Sequence, residues 1–132
     1  MLNPFPTMWL ALLAFLILRV AVGGTLVFLG IRHLNQHAAL MVGLRSFIHT
    51  FPAGTATLLA LIELGVGSLL ILGYHTQYAC LVGMALTVLF IIFRGGFTTD
   101  LLPPRIYYLL LLGALISIFI NGAGAFAFDL PL

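Results

Sequence analysis

Between residues 8 and 31 the chain carries one charged side chain, Arg19, and three further stretches repeat that pattern. Residues 54–73 hold only Glu63, residues 78–93 hold no charge, and residues 105–121 have theirs at the first position. A helix rises ~1.5 Å per residue, so about 20 apolar residues cross the hydrocarbon of a bilayer. Backbone groups in lipid must be satisfied within their own segment, which forces helix and excludes an open sheet. Soluble domains are about a quarter charged. This chain is 6% charged and 63% hydrophobic, too little polar surface to clothe a globule. The expected fold is all-α: one integral membrane domain, residues 1–132, a four-helix bundle with spans at 8–31, 54–73, 78–93 and 105–121.

Proline and glycine punctuate these spans. Pro52 precedes the second and Pro103-Pro104 the fourth, positions where proline suits a helix start. Only "YHTQ" separates the second span from the third, which predicts a tight antiparallel hairpin. The N-terminal run continues past Arg19 with no basic residue before it, so it reads as a retained first helix rather than a cleaved leader. Four spans place both termini on one side. The other side then receives Arg32, Arg45, Arg94 and Arg105, offset by Asp100. The positive-inside rule makes that side cytoplasmic, with Tyr107 and Tyr108 in the inner aromatic belt and Trp9, Tyr74 and Tyr78 in the outer one. The connection 33–52 repeats Leu34, Ala38, Met41, Leu44 and Ile48 at helical spacing, which predicts a helix in the interface between helices 1 and 2. Arg45 interrupts its apolar face, free to snorkel or to reach into the bundle.

Glu63 poses the main chemical question, because a charge at mid-bilayer costs roughly 2.5–3.5 kcal/mol on insertion scales. Arg19 is the other charged residue deep in a span. Counted from the cytoplasmic ends at Gly30 and Gly54, their depths differ by only about 3 Å. That arithmetic predicts an Arg19–Glu63 intramembrane ion pair, acting first as a clasp that sets helix register. Small residues at Gly23-Gly24, Ala21/Thr25, Gly65–Ser68 and Gly113/Ser117 supply faces for close helix packing.

Other chemistry is sparse. His33 and His37 stand at i, i+4, a weak metal-ligand spacing whose plainer reading is two interfacial histidines. Facing histidines from two spans, which a membrane haem needs, are missing. The single cysteine, Cys80, forbids an internal disulfide and reads as a buried packing residue. No basic run interleaved with aromatics suggests nucleic acid. No nucleotide loop, Ser-His-Asp set or carboxylate pair marks a stand-alone enzyme.

Three stretches, "LRVAVGGTLVFLGIRHL", "IELGVGSLLILGYHTQYA" and "NGAGAFAFD", resemble in order and spacing the DoxX family of small four-helix bacterial membrane proteins. The resemblance carries that family's recurrent polar positions onto Arg19, Glu63 and Asp129. Asp129, and Arg45 from its place in the interfacial segment, are the expected contacts for a partner or ligand. It implies the bacterial inner membrane and a place beside membrane redox systems, among them a thiosulfate:quinone oxidoreductase. The expected role is therefore an accessory or anchoring subunit of a quinone-linked assembly. Its partners would be lipid and other membrane subunits, with no cofactor of its own and quinone bound, if at all, at a partner interface. The alternatives are a purely structural subunit of a larger complex and a small homo-oligomeric transporter.

Overall fold

A computed structural model describes residues 4–96 and 102–122. Among them are five α-helices and no strand: α1 (Pro4–Asn35), α2 (His37–Arg45), α3 (Thr55–Leu72), α4 (Thr76–Phe93) and α5 (Arg105–Asn121). Three stretches, Leu10–Asn35, Thr55–Leu72 and Thr76–Phe93, are long and apolar enough to cross a membrane, and α5 is an apolar helix of 17 residues. Asp100 and Asp129 lie outside the described residues.

Each long helix buries one stripe at three- and four-residue intervals. On α1 it runs Arg19, Val22, Leu26, Leu29 and His33. On α3 it is Ala56, Ala60, Glu63, Val66 and Leu70, and on α5 Tyr108, Leu111, Leu115 and Ile118. The opposite faces are just as apolar, with Leu10, Phe28, Leu58, Ile92, Leu110 and Ile120 exposed. A helix apolar all round is one whose outer face meets lipid or protein, not water.

The seam between α1 and α3 is built on glycine. A Cβ on Gly67 would sit 2.7 Å from the Gly23 carbonyl oxygen and 2.7 Å from the Val27 nitrogen. One on Gly30 would sit 2.8 Å from the Leu64 nitrogen. Only hydrogen side chains let two backbones approach so closely. These contacts also set the register: the helices are antiparallel, with Gly23 beside Gly67 and Ile71, and Gly30 beside Ala60 and Leu64. Gly65, Gly24 and Gly113, expected to serve the same purpose, face open space. Which glycine of a pair lies on the seam depends on helix rotation, which spacing alone leaves open.

Gly73 ends α3 in the left-handed conformation (φ 68°), where the Tyr74 N–H donates to the Leu69 carbonyl and the Gly73 N–H to that of Leu70. The chain turns straight into α4, and Val66 meets Gly83 across the hairpin. Gly83 meets Leu115 of α5 and Phe90 meets Tyr108, so α5 runs antiparallel to α4. α5 then returns to α1 across an apolar groove of about 210 Å³, whose walls include Val22, Thr25, Tyr107, Leu111 and Ala114.

Two expectations need correction. The first helix does not stop at Ile31 but continues to Asn35. Tyr108 is not an interfacial belt residue, because it is fully buried. The connection 33–52 does hold a short helix, α2, with Leu40, Met41, Gly43 and Leu44 buried. Ala38 and Ile48 of the expected apolar face are exposed, as is Arg45.

Candidate functional site

His33 enters the interior because α1 carries four more residues of helix than its apolar run suggested. Three residues beyond Gly30, it lands on the seam that Gly30 makes with α3. There its Nδ1 lies 2.6 Å from Oε2 of Glu63, and the two side chains are 0% and 1% exposed. One proton occupies this line. With Glu63 ionised, Nδ1–H donates to the carboxylate, and with Glu63 protonated the carboxyl donates to Nδ1. A separation of 2.6 Å is at the short end for hydrogen bonds, as expected of a charge-assisted contact away from water.

The expected Arg19–Glu63 pair is therefore not the contact at Glu63. Arg19 is buried, 1% exposed, but the glycine register puts it level with the end of α3 near Gly73. Glu63 is level with Gly30, so about 16 Å of helix axis separates the two charges. The depth estimate failed because it took Gly30 and Gly54 as matching ends, whereas Gly30 faces Ala60 and Leu64. The His33/His37 metal spacing fails for a related reason. α1 and α2 are separate helices that break at Gln36, so i, i+4 is not one face there. His37 is exposed, its Nδ1 3.1 Å from the Leu34 carbonyl oxygen. Among the described residues no three His, Cys, Asp or Glu side chains gather to hold a metal.

The dyad has neighbours that the sequence did not single out. Phe90 of α4 packs on His33 with ring centroids 5.1 Å apart, and on Tyr108 of α5 at 5.9 Å and 24° between planes. His33, Phe90 and Tyr108 thus form one aromatic row through the interior, contributed by three helices. Thr87, also buried, donates to the Gly83 carbonyl one turn back and needs nothing further. Two polar atoms in this row do need something: Nε2 of His33 and the hydroxyl of Tyr108 are buried without a hydrogen-bond partner. Such orphans cost about 1–3 kcal/mol each, and native proteins keep few of them.

Chemically, a carboxylate behind one nitrogen fixes the orientation and tautomer of the imidazole, the arrangement that second-shell carboxylates give metal-bound or catalytic histidines. Here it leaves Nε2 able to accept or give a hydrogen bond, with a phenolic donor on the far side of Phe90. One signal for His33 was present in the sequence: it continues the 19, 22, 26, 29 stripe of α1. Tyr108 had the equivalent signal in its spacing to Leu111, Leu115 and Ile118. Both were masked by adjacency to charged residues, which drew them toward the interface.

A family model described as DoxX matches residues 14–96, which contain Arg19, His33, Glu63 and Phe90 but not Tyr108. No curated protein and no solved structure gives a significant match. With well over half of its length covered by that model, the chain belongs to the DoxX family.

Proposed function

We propose that this DoxX-family membrane protein is the accessory or anchoring subunit of a quinone-linked redox assembly in the bacterial inner membrane. In this reading α5 joins α1, α3 and α4 as the fourth span of a membrane bundle, and α2 lies in the interface. The end bearing Arg32, Arg45, Arg94 and Arg105 faces the cytoplasm by the positive-inside rule, with both termini outside. Arg45 and Asp129 are the contacts offered to a partner.

The observation that carries the reading is the buried His33–Glu63 dyad with Nε2 left open. A clasp needs only the Nδ1–carboxylate bond and gains nothing from a second, unsatisfied nitrogen. A proton-holding station beside a redox partner needs both faces of the ring. Gentle extraction from native membranes, followed by mass spectrometry and a visible spectrum of the intact complex, tests the reading. Co-purification with a flavin, haem or quinone enzyme is expected, and Glu63→Gln should lower turnover per assembled complex. A colourless species containing this chain alone would refute it.

The glycine seam through Gly23, Gly30 and Gly67 favours a second reading, a purely structural subunit whose dyad sets helix register. In that case Glu63→Gln reduces the amount of assembled complex and leaves its turnover per complex unchanged.

A further inference from the structure

We propose that the corner where α4 finishes and α5 begins holds the headgroup of one anionic phospholipid, its phosphate between the guanidinium groups of Arg94 and Arg105. This goes beyond the redox reading above and does not depend on it, because a lipid site serves an accessory subunit and a purely structural one alike.

The two arginines cross. Arg94 follows the last residue of α4, and its Nε donates at 3.0 Å to the carbonyl oxygen of Pro103, just ahead of α5. Arg105 opens α5 and reaches back the other way: a Cβ on Gly95, the neighbour of Arg94, would lie 3.6 Å from its Nη2. Each side chain is laid over the other's backbone, so two positive charges share one corner. Among the described residues the one acid is Glu63, held in the interior beside His33, and no carboxylate neutralises the pair. An anion between them relieves their repulsion, and a planar guanidinium matches the oxygens of a phosphate two at a time.

The surroundings select the kind of anion. A Cβ on Gly95 would also lie 3.7 Å from Cζ of Phe47, whose ring packs edge-on against Phe93 with centroids 5.2 Å apart. Phe93 is the last residue of a membrane-length helix, so this corner stands where hydrocarbon gives way to headgroups. Ile92 and Ile106, next in sequence to Phe93 and Arg105, are exposed. An occupant suited to the whole corner carries its negative charge directly against hydrocarbon. A free phosphate offers the charge without the hydrocarbon. An acidic phospholipid offers both, and basic pockets at the cytoplasmic ends of membrane helices recognise such headgroups. Phosphatidylcholine, whose own ammonium cancels its phosphate, does not supply the missing charge, and phosphatidylglycerol does.

The test uses the full chain in dodecyl maltoside, titrated with dioleoyl phosphatidylglycerol or dioleoyl phosphatidylcholine and read by native mass spectrometry. An uncharged micelle removes the general attraction of an acidic bilayer surface, so an adduct reports a site. A one-to-one adduct with phosphatidylglycerol is expected, clearly tighter than any with phosphatidylcholine. Arg105→Gln should weaken it about fivefold, the worth of one basic residue at an acidic lipid. Arg45→Gln removes the same charge from the same end, outside the crossing, and should leave affinity nearly unchanged. Gly95→Glu places a carboxylate between the two guanidinium groups. That variant should melt no lower than the wild type and lose the adduct, which separates loss of lipid from loss of fold. Equal affinity for the two lipids, an equal loss with Arg45→Gln, or a Gly95→Glu chain that keeps its adduct overturns the proposal. So does displacement of the lipid by inorganic phosphate at equal concentration, since the corner then reads phosphate alone. An adduct that forms only with Asp100→Asn overturns it too, because that carboxylate then fills the corner in the wild type.

Discussion

Glu63 shares its stripe of α3 with Ala56, Ala60 and Leu70, so the fold offers it nowhere to go but the interior. Stranding one member of a buried pair costs about 3–5 kcal/mol, whereas replacing both with apolar groups is often neutral. Glu63→Leu alone is expected to lose about 3 kcal/mol, the low end of that range, by leaving the buried Nδ1 of His33 without its hydrogen-bond partner. His33→Leu alone should cost a similar amount, and the double variant should recover most of the loss in a detergent unfolding titration. Arg19 gives the control. At about 16 Å from Glu63 along the axis it should behave independently, so Arg19→Leu and Glu63→Leu should add to within about 0.5 kcal/mol. A strong Arg19–Glu63 coupling with none at His33 would contradict the register described here.

Among the elements, the α1–α3 seam is the least tolerant. Gly67→Ala drives a methyl against backbone atoms at 2.7 Å, with no flexible side chain able to yield, so the helices must part. A loss of about 1–3 kcal/mol is expected from such overpacking. Gly65→Ala, two residues away, meets nothing within 4 Å and should be neutral or stabilising by up to about 1 kcal/mol through helix propensity. Thermal melts of the two variants check this directly, and equal losses would mean the helix is rotated from the orientation described. Both glycines are visible in "GVGS", yet only packing distinguishes them. The helix break at Gln36 was likewise unreadable, because "IRHLNQHAAL" contains neither glycine nor proline and its helical pattern runs through.

For the molecule as a whole, the four arginines outside the dyad's helix interiors cluster at the end where α1 and α4 finish and α5 begins. Arg94 is tied there, its Nε donating to the Pro103 carbonyl oxygen, while Arg45 and Arg105 are exposed. Their positions support the topology proposed above. A cysteine at exposed Thr50 should resist a membrane-impermeant maleimide in intact spheroplasts, and one at exposed Gln77, in the first turn of α4, should react. Native Cys80 is fully buried and should add little background. The reverse pattern would invert the orientation. Helical class, membrane residence and the three long apolar helices were legible along the chain, because hydropathy and helix length are local properties that lipid enforces segment by segment. The partner of Glu63 was not, because it follows from how far α1 slides and turns against α3. That register is decided by where glycine backbones can touch, and it exchanges Arg19 for His33 and draws Tyr108 from the interface into the core.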